Sequence, residues 1–233
     1  MKNINELNKL LYTDKHVVEY WKNKQKTTIK GYRVISPPLN SLVYEVCYKL
    51  LIKKHIIWLG GPPGVGKTSC CKRFQDYGFM AMDCEDPWNL KRGRRLSVTE
   101  KISKKVYKRF SMRFQNYAFL EKDGRYTGLK KISEKVYKEL NTSFVFGACY
   151  GSFLLKAPEY VTPILILPDF DIYERHWKKR NPNDKQGNNV RYCECQKIAE
   201  KNKNLLVLHQ PQDECIDVTI YRICELILNN NNG

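Results

Sequence analysis

Residues 60–68, Gly60-Gly61-Pro62-Pro63-Gly64-Val65-Gly66-Lys67-Thr68, bring three chemical groups together in one short run. Glycines let the main chain curl until successive N–H groups point at a single anion. A lysine ammonium reaches for β- and γ-phosphates, and a threonine hydroxyl offers an oxygen to Mg²⁺. The spacing is that of the G-x-x-x-x-G-K-[ST] phosphate loop, with Gly61 as its first glycine. Gly61, Gly64, Val65, Gly66, Lys67, Thr68 and Ser69 are therefore the expected phosphate-binding residues, for ATP with Mg²⁺.

Such a loop works only between a strand and a helix. Residues 55–59 form an apolar run of strand length, and residues 67–77 read as a helix that Gly78 terminates. Further strands are expected at residues 78–83, 143–148, 161–167 and 204–209, with helices at about 170–180, 190–202 and 213–228 between them. Strands alternating with helices predict a parallel sheet with right-handed crossovers, in a three-layer α/β fold of five strands. Ahead of the loop, residues 5–22 and 39–53 have helical apolar spacing and are joined by a basic linker ending in Ser36-Pro37-Pro38. The expected organisation is an N-terminal helical extension over 1–54, a phosphate-loop domain over 55–228 and a polar tail over 229–233.

Within the domain, residues 84–142 read as a helical insertion. Ser97-Val98-Thr99-Glu100 is a capping box, and a second helix covers about 128–140. The octapeptide at 101–108 recurs at 131–138 with seven of eight positions matched, as a duplicated helix or a coincidence of a lysine-rich chain. Residues 164–182 carry an apolar strand into Pro168 and then a helix with Glu174, Arg175 and Arg180. A polar stretch, 181–189, leads on to Arg191. Arginines on a mobile segment supply positive charge to a transferring phosphoryl group and exclude water on closure.

This strand, helix and arginine-bearing segment resembles the fourth strand and lid of the small P-loop kinases, the shikimate-kinase-like and nucleoside-monophosphate-kinase-like group. The resemblance spans roughly residues 55–228 in order and spacing. It implies a lid over 175–192 with Arg175, Arg180 and Arg191 acting on the triphosphate. Asp83-Cys84-Glu85-Asp86 occupies the place of that group's Asp-x-Asp. By the same resemblance Asp83 would assist Mg²⁺ or act as base, and Glu85 would meet the acceptor, with Asp86 as substitute. Helix capping is the structural alternative for these carboxylates. Lys91-Arg92-Gly93-Arg94-Arg95 follows, and Arg92, Arg94 and Arg95 have the bidentate geometry to clamp an acceptor phosphate. A hydroxyl acceptor needs a base, whereas a monophosphate acceptor already presents an anionic oxygen.

The chain of 233 residues has a net charge of +17, high for a metabolic enzyme, and points to an anionic substrate or partner. Ten Lys or Arg against one acidic residue fall between Lys91 and Arg113, a stretch suited to nucleic acid. No apolar stretch approaches the roughly 20 residues of a membrane span. The nine scattered cysteines suggest reduced thiols and a cytoplasmic location. Cys193-x-Cys195 lacks the usual spacing of structural zinc ligands. The expected activity is ATP-dependent phosphoryl transfer to a nucleotide or other small acceptor. A 5′-hydroxyl polynucleotide kinase would share the fold and suit the charge. An AAA-type ATPase shares the loop but needs a strand ending directly in Asp-Glu, where this chain has Leu167-Pro168-Asp169-Phe170-Asp171. A non-catalytic nucleotide-binding protein is the remaining alternative.

Overall fold

The computed structural model describes residues 40–83, 124–139, 143–147, 151–184, 189–203 and 205–230. Residues 1–39, the basic stretch 91–113, and Glu85, Asp86, Arg92, Arg94 and Arg95 lie outside the described residues. So does the first copy of the repeat.

The five apolar runs become β1 (Ile56–Gly60), β2 (Met80–Asp83), β3 (Phe144–Gly147), β4 (Val161–Pro168) and β5 (Leu206–Gln210). They pair in parallel in the order β2-β3-β1-β4-β5. Strands covered on both faces must be apolar throughout rather than alternating, and all five residues of β1 are buried. The helices are α1 (Ser41–Leu51), α2 (Lys67–Asp76), α3 (Gly124–Glu139), α4 (Phe170–Arg180), α5 (Asn189–Lys201) and α6 (Ile216–Asn230). A 3₁₀ segment, Gly151–Lys156, follows β3 and has no counterpart in the sequence expectations. It is too short to show a helical period.

The pleat of β1 sorts these elements into layers. Trp58 and Gly60 share one face. Trp58 Nε1 donates to Ser133 Oγ of α3 at 2.9 Å. A Cβ on Gly60 would meet Leu154 of the 3₁₀ segment at 2.5 Å, so a larger residue there would make that leucine shift. α5 packs on that segment and on β4. On the opposite face α2 packs against β2 and β3, and α6 against α2, β5 and α1.

α1, counted with the extension in the sequence, shares the core of the sheet domain through Val43, Val46, Cys47 and Leu50. Asn40 caps it, its side chain accepting from Leu42 N and Val43 N at 3.0 and 3.3 Å. Cys47 Sγ lies 3.7 Å from Cys224 Sγ of α6. Ser143 Oγ donates to Leu50 O at 3.1 Å and accepts from His55 N at 2.9 Å, fastening α1 to the base of the sheet. α6 runs through Asn230, into the stretch expected as tail. Pro168, expected as a turn, is the last residue of β4 and pairs in register with Gln210. Among the described residues no helix is long and apolar enough to cross a membrane.

Candidate active site

Beyond β1 the chain passes through Gly61, Gly64 and Gly66 at φ of 144°, 92° and 87°. A side chain is excluded at Gly61 in any case, because a Cβ there would lie 2.5 Å from Ile166 O of β4. Gly66 occupies the N-cap of α2 and supplies no side-chain cap. No acidic residue stands in that first turn, and a Cβ on Gly66 would meet nothing within 4 Å. The loop is thus open and electropositive at this point. Lys67 Nζ donates to Gly61 O at 2.8 Å and to Pro62 O at 2.9 Å, which folds the ammonium back onto its own loop.

Asp83 ends β2 beside this loop and is 6% exposed. Its carboxylate Oδ2 accepts a hydrogen bond from Thr68 Oγ1 on α2. Gly147 is its register partner on β3. A Cβ at Gly147 would lie 3.2 Å from Cys71 Sγ, 3.6 Å from Asp83 Oδ2 and 3.8 Å from Lys67 Cβ. Glycine therefore lets β3 approach the floor of the site. A hydroxyl and a carboxylate set side by side at the loop form an all-oxygen donor pair. That pair fits Mg²⁺, which binds few protein oxygens and completes its shell with phosphates and water.

A cleft of about 230 Å³ opens from the loop. One wall is Gly64, Val65 and Gly66, with Ser69 and Cys70 behind them. The second wall is α4, through Ile172, Tyr173 and His176. The third is the β5–α6 connection, through Gln210, Gln212 and Glu214. Burial pushes the Cys70 thiol up to about 12, so it stays neutral. Burial also raises the Glu214 carboxyl above its ordinary value, against the opposing pull of Arg222. Arg222 pairs with Glu214 Oε1 and donates to His209 O at 2.7 Å, while Thr219 Oγ1 lies 3.4 Å from Glu214 Oε2. These groups hold the connection in a fixed shape.

α2 is fixed from behind as well. Arg73, 3% exposed, donates through Nε and Nη2 to the two oxygens of Asp217 at 2.6 and 2.8 Å. Tyr77 Oη donates to Asp217 Oδ1 at 3.0 Å and accepts from Asn40 N at 3.1 Å. One part-buried carboxylate at the start of α6 thereby aligns α2 and, through Tyr77, the cap of α1.

None of the three arginines expected on the lid lines this cleft. Arg175 on α4 pairs with Asp213 at 3.1 Å, and His176 Nε2 meets the other oxygen of the same carboxylate at 2.6 Å. Arg180 is the last residue of α4. Arg191 on α5 pairs with Glu194 at 2.7 Å. The residues of α4 that do line the cleft, Ile172, Tyr173 and His176, were not singled out from the sequence. Their spacing of one, three and four marks a single helical face, but nothing in the sequence says which face turns toward the loop. Asp169 follows Pro168 as the residue before α4, and no adjacent carboxylate accompanies it.

A phosphate loop at the end of the first strand, in a parallel sheet of order β2-β3-β1-β4-β5 with helices on both faces, is the architecture of the small P-loop kinases. Similar chain paths occur in a shikimate kinase from Aquifex aeolicus vf5, at 16% identity and a TM-score of 0.45, covering 76% of this chain and 98% of that one. They occur also in a gluconokinase from Sinorhizobium meliloti 1021, at 12% identity and a TM-score of 0.42, over 77% and 95%. An uncharacterized protein from Eubacterium ventriosum ATCC 27560 is similar at 18% identity and a TM-score of 0.45, over 76% and 99%. No protein-family model and no curated protein sequence matches the chain.

Proposed function

We propose that this protein transfers the γ-phosphoryl group of ATP to a nucleotide or other small phosphorylated or hydroxylated acceptor. The observation that carries this is the meeting of Thr68 and Asp83 beside an open, glycine-built phosphate loop at one end of a cleft. The loop amides and the N-terminus of α2 would hold the β- and γ-phosphates. On binding, the Lys67 ammonium would exchange the carbonyls of Gly61 and Pro62 for phosphate oxygens, a stronger charge-assisted partner. Thr68 and Asp83 would hold Mg²⁺, which would supply positive charge to the phosphates. Arg175, Arg180 and Arg191 are assigned to the charge on the transferring group. Arg175 and Arg191 would do so by leaving Asp213 and Glu194 for a more highly charged partner. Acceptor recognition is assigned to Glu85, Asp86, Arg92, Arg94 and Arg95. With a hydroxyl acceptor Asp83 would take the proton.

The test is a transfer assay with γ-labelled ATP and Mg²⁺ against nucleosides, nucleoside monophosphates, small hydroxylated acids and 5′-hydroxyl oligonucleotides. Label passing to a small acceptor, and lost by at least about 100-fold in Lys67→Ala, supports the proposal. Steady release of phosphate with no acceptor present identifies an ATPase instead. Label appearing only on oligonucleotide ends identifies a polynucleotide kinase. Wild-type turnover in Lys67→Ala removes the phosphate loop from the mechanism.

A further inference from the structure

α1 is more apolar than its packing on the sheet domain requires. Val43, Val46, Cys47 and Leu50 fill the side turned to the core. Tyr44, Tyr48 and Ile52, spaced by four along the flank of that side, are 47%, 53% and 65% exposed. The two tyrosine rings stack at 6.3 Å and 15°, so the flank is a flat aromatic surface continued by an isoleucine. On the far side Glu45 and Lys49 pair with each other at 2.8 Å. At about 100° per residue the apolar arc runs from the core-facing side past the tyrosines to Ile52 and stops at this ion pair. A helix with one neighbour needs an apolar stripe of little more than about 100°. α1 carries enough for a second neighbour, and among the described residues these three side chains stay open to solvent.

The chain itself supplies that neighbour. Residues 1–39 join the domain at Asn40, the cap of α1. Within them Leu7, Leu10, Leu11, Val17, Val18 and Trp21 fall at helical spacing over 5–22. A helix of this length draws most of its stability from burying its apolar face. Residues 23–38 connect the segment to α1. Even as coil, a connection of that length spans about 20–24 Å, against about 16 Å for the whole of α1. The segment can therefore lie back along the helix. Such a tether holds the segment beside α1 at an effective concentration in the millimolar range. A separate molecule would have to reach that concentration in free solution to compete for the same surface.

We propose that residues 5–22 of this chain dock as an amphipathic helix on the flank of α1 formed by Tyr44, Tyr48 and Ile52. The extension then closes an apolar face of the domain that would otherwise be left to another molecule. Neither side of this contact lines the cleft, so it is independent of the ligand bound there.

The experiment uses the full chain with the photocrosslinker benzoylphenylalanine in place of Tyr48, a side chain that already stands outside the core. Equal amounts of isotopically heavy and light chains are mixed, irradiated and digested, and the cross-linked peptides are read by mass spectrometry. The expected product joins position 48 to a peptide within 5–22, heavy to heavy or light to light only. Leu10→Asp combined with Leu11→Asp should lower its yield about tenfold or more, because two side chains that docking buries become charged. Products joining heavy to light overturn the proposal, since a second copy then holds the face. A product with any other segment, or no product, overturns it as well. So does an undiminished yield in the doubly substituted chain, because the proximity then owes nothing to the apolar residues. If the chain carrying the crosslinker at position 48 does not fold, the same reading is made from position 44.

Discussion

Thr68 Oγ1 donates its proton to Asp83 Oδ2, and this bond joins the first turn of α2 to the last residue of β2. Two segments fifteen residues apart thus place a hydroxyl and a carboxylate on one edge of the phosphate loop. The pairing orients the carboxylate.

Asp83→Asn keeps the shape of this pair and removes its charge. Its effect on turnover separates the acceptor classes. With a hydroxyl acceptor the loss should be about 10²- to 10⁴-fold, the usual contribution of a general base. With a phosphorylated acceptor the loss should be far smaller and should shrink further as Mg²⁺ is raised. Steady-state rates at several Mg²⁺ concentrations make the measurement.

Gly147→Ala places a methyl group 3.2 Å from Cys71 Sγ and 3.6 Å from Asp83 Oδ2, tighter than the strand can absorb without a shift. The expected cost is about 1–3 kcal/mol in denaturant unfolding, typical of an overfilled interior. Adding Cys71→Ala should recover much of it, because the sulfur is the nearest obstruction. A double mutant no more stable than Gly147→Ala would show that the contact with Asp83 dominates.

Asp217→Ala leaves the Arg73 guanidinium buried without its bidentate partner and Tyr77 without its acceptor. Asp76 Oδ2 stays 3.3 Å from Arg73 Nη1, so the loss should fall below the roughly 3–5 kcal/mol of a buried charge left with no partner. Urea melts should show this loss. Replacing Arg73 and Asp217 together by Met and Leu should cost less than Asp217→Ala alone.

Glu214 gives a pH dependence of definite sign. Its folded-state pKa is raised by burial above the ordinary carboxyl value of 4.5. The folded protein therefore binds this proton more tightly than the unfolded chain does. From neutral pH down to about 4.5 the ionised carboxylate's burial penalty is progressively relieved in the wild type, and Glu214→Gln has no such group to protonate. The melting temperature of Glu214→Gln relative to wild type should fall as pH is lowered across that window. A constant difference between pH 8 and 4.5 would mean that Arg222 keeps Glu214 fully ionised throughout.

The legible parts of the molecule were those whose physics is local. The phosphate loop is a run of nine residues whose glycine spacing dictates its conformation. β1, and β4 from Ile164 to Leu167, announce themselves as unbroken apolar runs because both of their faces are covered. The wall of the cleft was harder to read. Charge drew attention to Arg175, Arg180 and Arg191, whereas Ile172, Tyr173 and His176 line the cleft. Which side of α4 turns inward depends on how β4 sits beside β1, and that pairing is long-range. Gln210, Gln212 and Glu214 reach the cleft for a similar reason. The first of them ends an edge strand, and the others follow a turn whose path is set by α6.

The seam between α1 and α6 bears on where this chain may be shortened. A fragment starting at His55 would retain the whole phosphate loop, yet it would uncover Cys224 and take away the main-chain oxygen of Leu50 that Ser143 reaches. It would also strip Tyr77 of the amide of Asn40. A piece that folds on its own should accordingly start no later than Asn40, fifteen residues ahead of the point where the nucleotide-binding sequence first becomes recognisable.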